Sequence, residues 1–302
     1  MKSVEQVTRR EFINTGMIAT TAVAATSVLG GVARVQADHH KKSGGTNFKG
    51  RVYKAVKGGK KKGETPLVFF ERLKKLGFDG VESGSARDAA AYRDAFAKTG
   101  IMVHGLVNGG HWSVRLSDPK PETREKARKN LENAIRNSAA LGGSSVLLVP
   151  GKVTGASETH DDVWNRSIEQ VKQVLPLSAK LGVRVLIETV WNGFCYDPEK
   201  FRDYIDAYNN PWLGAYFDIG NMQKHAPAHD WVRILGKRIV KLDVKDWGKK
   251  NGFCRLGEGD VDWDKVRVEL AKIDFSGWAT REGRDKNLED TSKLMDQLML
   301  GI

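Results

Sequence analysis

Residues 184–190 read Arg184-Val185-Leu186-Ile187-Glu188-Thr189-Val190, and residues 213–219 read Leu213-Gly214-Ala215-Tyr216-Phe217-Asp218-Ile219. Each is a short, β-rich apolar run that meets an acid near its end. The stretch between them, Pro198–Tyr208, opens on a proline and carries a helical pattern. The pair therefore reads as strand, helix, strand.

The same alternation extends in both directions. Further strands are expected at Gly50–Val56, Gly80–Ser83, Ile101–Val107, Ser144–Val149, Arg238–Val244 and Gly277–Glu282. Helical patterns follow at Pro66–Leu76, Ala86–Lys98, Pro121–Leu141, Asp161–Leu181, Trp231–Gly236, Asp262–Ile273 and Leu288–Leu300. Leu67, Phe70, Leu73 and Leu76 fall on one face of the first of these, and Gly142-Gly143 stops the third. Eight strand–helix units over about 250 residues match a closed (β/α)₈ TIM barrel, a single α/β domain over residues 48–302. An open doubly wound sheet would want a glycine-rich phosphate turn after the first strand, and Gly58-Gly59-Lys60 is not one.

In such a barrel, residues at the C-terminal strand ends gather at one mouth. Four acids stand there: Glu188, Asp218, Asp243 in Val240-Lys241-Leu242-Asp243, and Glu282 closing Trp278-Ala279-Thr280-Arg281-Glu282. Any one of them alone reads as a salt-bridged strand end. Four on consecutive strands would repel one another, and a divalent cation is the natural neutraliser. All-oxygen ligation favours Mn²⁺ or Mg²⁺ over Zn²⁺ or Co²⁺.

The chain carries 49 Lys and Arg against 37 Asp and Glu, a formal charge of +12 over 302 residues. Such an excess raises the question of a nucleic-acid partner, but its location argues otherwise. Residues 38–62 hold nine Lys and Arg against Asp38 alone, whereas residues 63–302 hold 36 against 34 acids. The excess thus sits in a short Gly-, Ser- and Lys-rich stretch, read as a solvated tail and loop, with 38–47 as a flexible basic segment. Before it, Thr8-Arg9-Arg10-Glu11-Phe12-Ile13, a weakly apolar run over Gly16–Val32 and Val35-Gln36-Ala37 form a twin-arginine (Tat) export signal over residues 1–37. This predicts passage through the Tat translocase to the periplasm or another extracytoplasmic space, with no stable membrane anchor.

From about Phe48 to Leu300 the sequence resembles the xylose-isomerase-like TIM barrels, the sugar phosphate isomerase/epimerase superfamily. The resemblance rests on Leu76-Gly77-Phe78-Asp79-Gly80-Val81-Glu82, Val185-Leu186-Ile187-Glu188, Phe217-Asp218-Ile219-Gly220-Asn221, Val244-Lys245-Asp246, Leu256-Gly257-Glu258-Gly259-Asp260-Val261-Asp262-Trp263 and Phe275-Ser276-Gly277-Trp278-Ala279-Thr280-Arg281-Glu282. It implies a metal held by Glu, Asp, His and Glu, of which Glu188, Asp218 and Glu282 match three. The family's His-Leu-Lys-Asp reads Asp243-Val244-Lys245-Asp246 here. Three outcomes stay open: an all-carboxylate site, weak metal binding, or a chemistry other than isomerisation. The resemblance further implies that Glu188 and Glu282 pass a proton through a metal-stabilised enediolate of a sugar or keto sugar.

Substrate contacts are expected from His111 and Trp112 on a Gly-rich loop, from Glu82, from Trp191 and Asn192 after the fifth strand, and from Asn221, His225 and Lys245. His104, inside a strand, reads as a satisfied barrel residue. Cys195 and Cys254 each close an Asn-Gly-Phe-Cys tetrapeptide, compatible with a disulfide or with two free thiols. Other readings of the same scaffold are a lyase or hydrolase of a keto sugar or keto-glycoside, and a non-catalytic carbohydrate-binding barrel. Export and the scarcity of His at the strand ends exclude a nucleic-acid enzyme. Homo-oligomerisation stays open.

Overall fold

The computed structural model describes residues 46–58, 60–283 and 285–302. The expected twin-arginine leader and most of the expected basic segment lie outside the described residues. Strands β1 (Val52–Lys57), β2 (Gly80–Ser83), β3 (Met102–Val107), β4 (Ser145–Leu148), β5 (Arg184–Glu188), β6 (Leu213–Asp218), β7 (Ile239–Val244) and β10 (Gly277–Arg281) pair in parallel, and β1 closes on both β2 and β10. The eight-stranded barrel expected from the sequence is formed. A two-stranded antiparallel hairpin, β8 (Asp246–Gly248) and β9 (Gly252–Cys254), follows β7 and was not expected. Its strands are three residues each, too short to register as a hydrophobic period.

The helices are α1 (Pro66–Lys75), α2 (Ala89–Thr99), α3 (Pro121–Ala140), α4 (His160–Leu181), α5 (Pro198–Asp206), α6 (Ile219–Gln223), α7 (Ala228–Leu235), α8 (Trp263–Lys272) and α9 (Leu288–Met295). Their starts are written in the sequence. Thr65 accepts from the Val68 amide ahead of Pro66, and Thr159 and Asp162 form a reciprocal capping box. Asp197 and Asn287 cap α5 and α9 in the same way. Helix α2 begins at Ala89 rather than Ala86, because Asp88 sits in the left-handed region at φ 60°. Helix α7 begins at Ala228 rather than Trp231. Among the described residues no helix is long and apolar enough to cross a membrane.

Two cores follow from the alternation of side chains along each strand. Val185, Ile187, Ala215, Phe217, Leu242 and Val244 pack outward beneath the helices. Leu147, Leu186 and Tyr216 pack inward in the barrel lumen. The period of two then places Glu188 with Leu186 and Asp218 with Tyr216 on the inner side. Below the mouth the lumen is polar: Lys241 Nζ lies 2.9 Å from His104 Nδ1, and His104 Nε2 lies 3.1 Å from Thr280 Oγ1, which accepts from Tyr216 Oη at 2.8 Å. His104 is thus fully buried and partnered, as expected.

Candidate active site

Strand β5 ends on Glu188 itself, two residues short of the expected Val190. Strand β6 ends on Asp218, which turns the chain directly into α6: its Oδ1 accepts from the Asn221 amide at 2.8 Å and caps the helix. Asp243 is paired in register with Asp218 and Thr280. Glu282 stands one residue beyond β10, its amide donating to Val244 O at 3.3 Å. One ligand oxygen from each of Glu188, Asp218, Asp243 and Glu282 lies within 4.8 Å of all the others. The first three are buried and Glu282 is partly exposed.

Two ammonium groups thread this cluster. Lys245 Nζ lies 2.9 Å from Asp218 Oδ2 and 3.3 Å from Glu282 Oε2. Lys57, the last residue of β1, lies 2.5 Å from Asp243 Oδ2, 3.1 Å from Glu282 Oε2 and 3.5 Å from Glu82 Oε2. Sequence reasoning missed Lys57. Ending the first strand at Val56 assigned it to the solvated basic stretch, yet its position two residues after Ala55 puts it on the inner side.

Burial pushes the Glu188 carboxyl up to about 8, against the pull of Lys57 and with help from the Asp218 and Glu282 charges. Burial likewise raises Asp218, Asp243 and Glu82. Glu282 goes the other way: burial opposes its charge, but Lys57 and Lys245 hold it below the ordinary carboxylate value. Five acids, including Glu82, thus crowd around Lys57 and Lys245, and burial holds four of them toward the neutral form until a further cation is supplied. Asp243 Oδ1 is buried and accepts no hydrogen bond. A hard all-carboxylate donor set with an orphaned buried oxygen fits a divalent cation.

The other expected contacts divide. Asn221 is knitted into the cluster, Nδ2 donating to Glu188 Oε1 at 3.3 Å and Oδ1 accepting from Lys245 Nζ at 3.2 Å. Trp191 donates its indole N–H to Asn221 O at 2.8 Å. Glu82 lies buried beside Lys57. His111 is buried on a single 3₁₀ turn, Gly109–Trp112, with Trp112 half exposed edge-on to it. Burial, then the Lys57 charge, lowers His111 to about 4, so the imidazole is neutral at physiological pH. Asn192 is placed otherwise: its amide donates to Gly151 O at 2.7 Å and accepts from the Phe194 amide at 3.1 Å, bracing a loop. His225 stacks on Tyr196 at 4.0 Å and, among the described residues, has no link to the carboxylates. Cys195 and Cys254 are both free thiols, which removes the disulfide alternative.

Gly220 lets α6 approach the strand end. A Cβ there would stand 2.8 Å from the Lys245 carbonyl carbon and 2.9 Å from its oxygen. Gly220→Ala therefore forces backbone apart next to the cluster and is expected to cost about 1–3 kcal/mol. An unchanged urea midpoint would show that the approach is not needed.

The geometry agrees with the comparisons. Residues 70–299 match the family model described as xylose isomerase-like TIM barrel. L-ribulose-5-phosphate 3-epimerase UlaE of Escherichia coli (strain SMS-3-5 / SECEC) is 24% identical over 232 residues, covering 71% of this chain and 81% of that protein. Among solved structures, 3-keto-D-glucoside 4-epimerase, YcjR, from E. coli superposes with a TM-score of 0.70 at 16% identity, over 82% of this chain and 99% of that one. D-allulose 3-epimerase from Methylomonas sp., in complex with D-allulose, gives 0.66 at 19% identity, over 83% and 90%. With that family model spanning most of the chain, the chain belongs to the xylose isomerase-like TIM barrel family.

Proposed function

We propose that the protein is a metal-dependent sugar isomerase or epimerase. The observation that carries this is the set of four carboxylates, one from each of four successive barrel strands or strand ends, converging within 4.8 Å at the mouth. The sugar epimerases to which the chain is similar support the substrate class.

Glu188, Asp218, Asp243 and Glu282 would hold the ion, which when bound supplies a positive charge that polarises a carbonyl and its neighbouring hydroxyl. The rest falls to the chain. Glu188 and Glu282 stand on strands separated by β6 and β7, so they flank a sugar from two sides. One removes the proton from the hydroxyl-bearing carbon beside the carbonyl and the other delivers a proton, the roles exchanging with the direction of reaction. Asn221 orients Glu188. Lys57 and Lys245 keep Glu282 ionised and offer donors to developing negative charge. Neutral His111, beside half-exposed Trp112, suits a hydroxyl and an apolar sugar face. The Tat leader supports an exported enzyme, and phosphorylated substrates are scarce outside the cytoplasm, so free sugars or glycosides are the proposed substrates.

Mn²⁺ titration with a melting curve, followed by solvent-deuterium incorporation into a panel of ketoses, tests the reading. Saturating ion at 100 times its Kd is expected to add about 2.7 kcal/mol of stability, and at least one ketose to gain deuterium at carbon. No melting shift together with no exchange would overturn it.

A further inference from the structure

Between the hairpin β8–β9 and the loop after β10 lies a cavity of 790 Å³. Of the residues just described, Lys245 and Glu282 line it; Glu188, Asp218 and Asp243 do not. A sugar whose reacting carbon sits over the carboxylates would therefore have this space beyond one end. The volume lies within the range of about 300–1,000 Å³ typical of small-molecule sites.

One wall is Phe253, on β9, with its side chain 49% exposed. Trp191 stacks on it at 4.7 Å and 20°, and Trp247 meets Trp191 edge-on at 6.4 Å. The hairpin that presents Phe253 is anchored by buried Asp246, which accepts from the Gly257 amide at 2.8 Å and the Trp263 indole at 3.1 Å. The aromatic surface is thus held in place and half exposed, with Lys245 Nζ 5.1 Å from the Phe253 ring centroid. A sugar ring has an apolar C–H face and a rim of hydroxyls. It matches a flat aromatic wall with charged groups around it.

Among the described lining residues, basic and acidic side chains are equal in number. Arg281 is engaged by Asp285 at 2.8 Å and by Val244 O at 3.0 Å, and Lys245 by Asp218 and Glu282. Arg255 is bridged only at 3.7 and 3.9 Å, to Glu258 and Asp290, and Lys286 also lines the space, so a phosphorylated probe belongs in the test.

We propose that this cavity is a second sugar subsite, and that the substrate is a glycoside whose reacting unit lies over the carboxylates while its second unit lies against Phe253. The inference rests on the carboxylates being the reacting centre. Binding and deuterium exchange are to be measured with fructose, fructose 6-phosphate and the keto-disaccharides maltulose, isomaltulose and lactulose. At least one disaccharide is expected to bind about tenfold or more tightly than fructose. Phe253→Ala erases that gain and leaves the affinity and exchange of fructose unchanged, while Phe253→Trp retains the gain. The subsite is overturned if no disaccharide gains over fructose, if the gain survives Phe253→Ala, or if fructose 6-phosphate alone binds tightly. A disaccharide gain without exchange in any probe would instead refute the carboxylates as reacting centre and leave the subsite standing.

Discussion

Glu188→Gln and Glu282→Gln each lower kcat by about 10²–10⁴-fold on any ketose that the wild type exchanges, with the barrel intact. The amide keeps the shape of the side chain but cannot take up or deliver a proton. At Glu188 it also keeps the acceptor for Asn221 Nδ2. The two variants differ in stability, which separates a lost proton carrier from a damaged fold. The Glu188 carboxyl is raised by burial to about 8. A carboxyl raised above its unfolded value stabilises the fold below the unfolded value, and that contribution is lost as the pH rises through about 8. Glu188→Gln removes a penalty present at the upper end of that window, so the ion-free variant melts no lower than wild type there. Glu282 is lowered by its lysines, and its contribution is present above the unfolded carboxylate value. Its loss costs little, because the side chain is 34% exposed and solvent screens the pair. Wild-type turnover in either variant would remove that glutamate from the proton path.

Lys57→Met is expected to be the most destabilising single change at the mouth, and its cost depends on pH. Removing one partner of a buried ion pair typically costs about 3–5 kcal/mol. Here Lys57 faces Asp243, Glu82 and Glu282 together. Without the ammonium, buried Asp243 and Glu82 are driven further toward their neutral forms. Their stabilising protonation is complete at low pH and lost as pH rises, so the deficit is small at acid pH and grows at alkaline pH. Mn²⁺ restores part of it, because a cation substitutes for a cation. Urea midpoints at acid and alkaline pH, with and without Mn²⁺, read this out. A deficit that does not vary with pH would show that Lys57 acts through packing alone.

The barrel was legible because most units repeat the same local grammar. Capped helix starts and short buried runs agree, and each strand end fell within one or two residues of its expected place. The four acids were legible because a carboxylate within an apolar run is an anomaly visible without coordinates. Lys57 was hidden by its neighbours: next to Gly58-Gly59-Lys60-Lys61-Lys62 it looks like one more solvated charge. Only closure of β1 onto β10 brings it to Asp243, a contact across 186 positions of sequence. Asn192 shows contacts that sequence position alone does not reveal. A polar residue after a catalytic-looking strand end invites a substrate role, but here both ends of its amide are spent on backbone groups. The hairpin carrying Phe253 has no period long enough to announce itself, and its exposure is a tertiary fact.

Asp218 gives one oxygen to the start of α6 and turns the other toward Lys245 and the carboxylates. Two duties on one short side chain narrow the evolutionary choices at that position. Asparagine would keep the helix start and forfeit the charge. Glutamate would keep the charge, but its extra methylene carries the carboxylate past the cap position. No substitute therefore keeps both duties, and a lineage abandoning the chemistry would accept asparagine at position 218, holding the helix start without the charge.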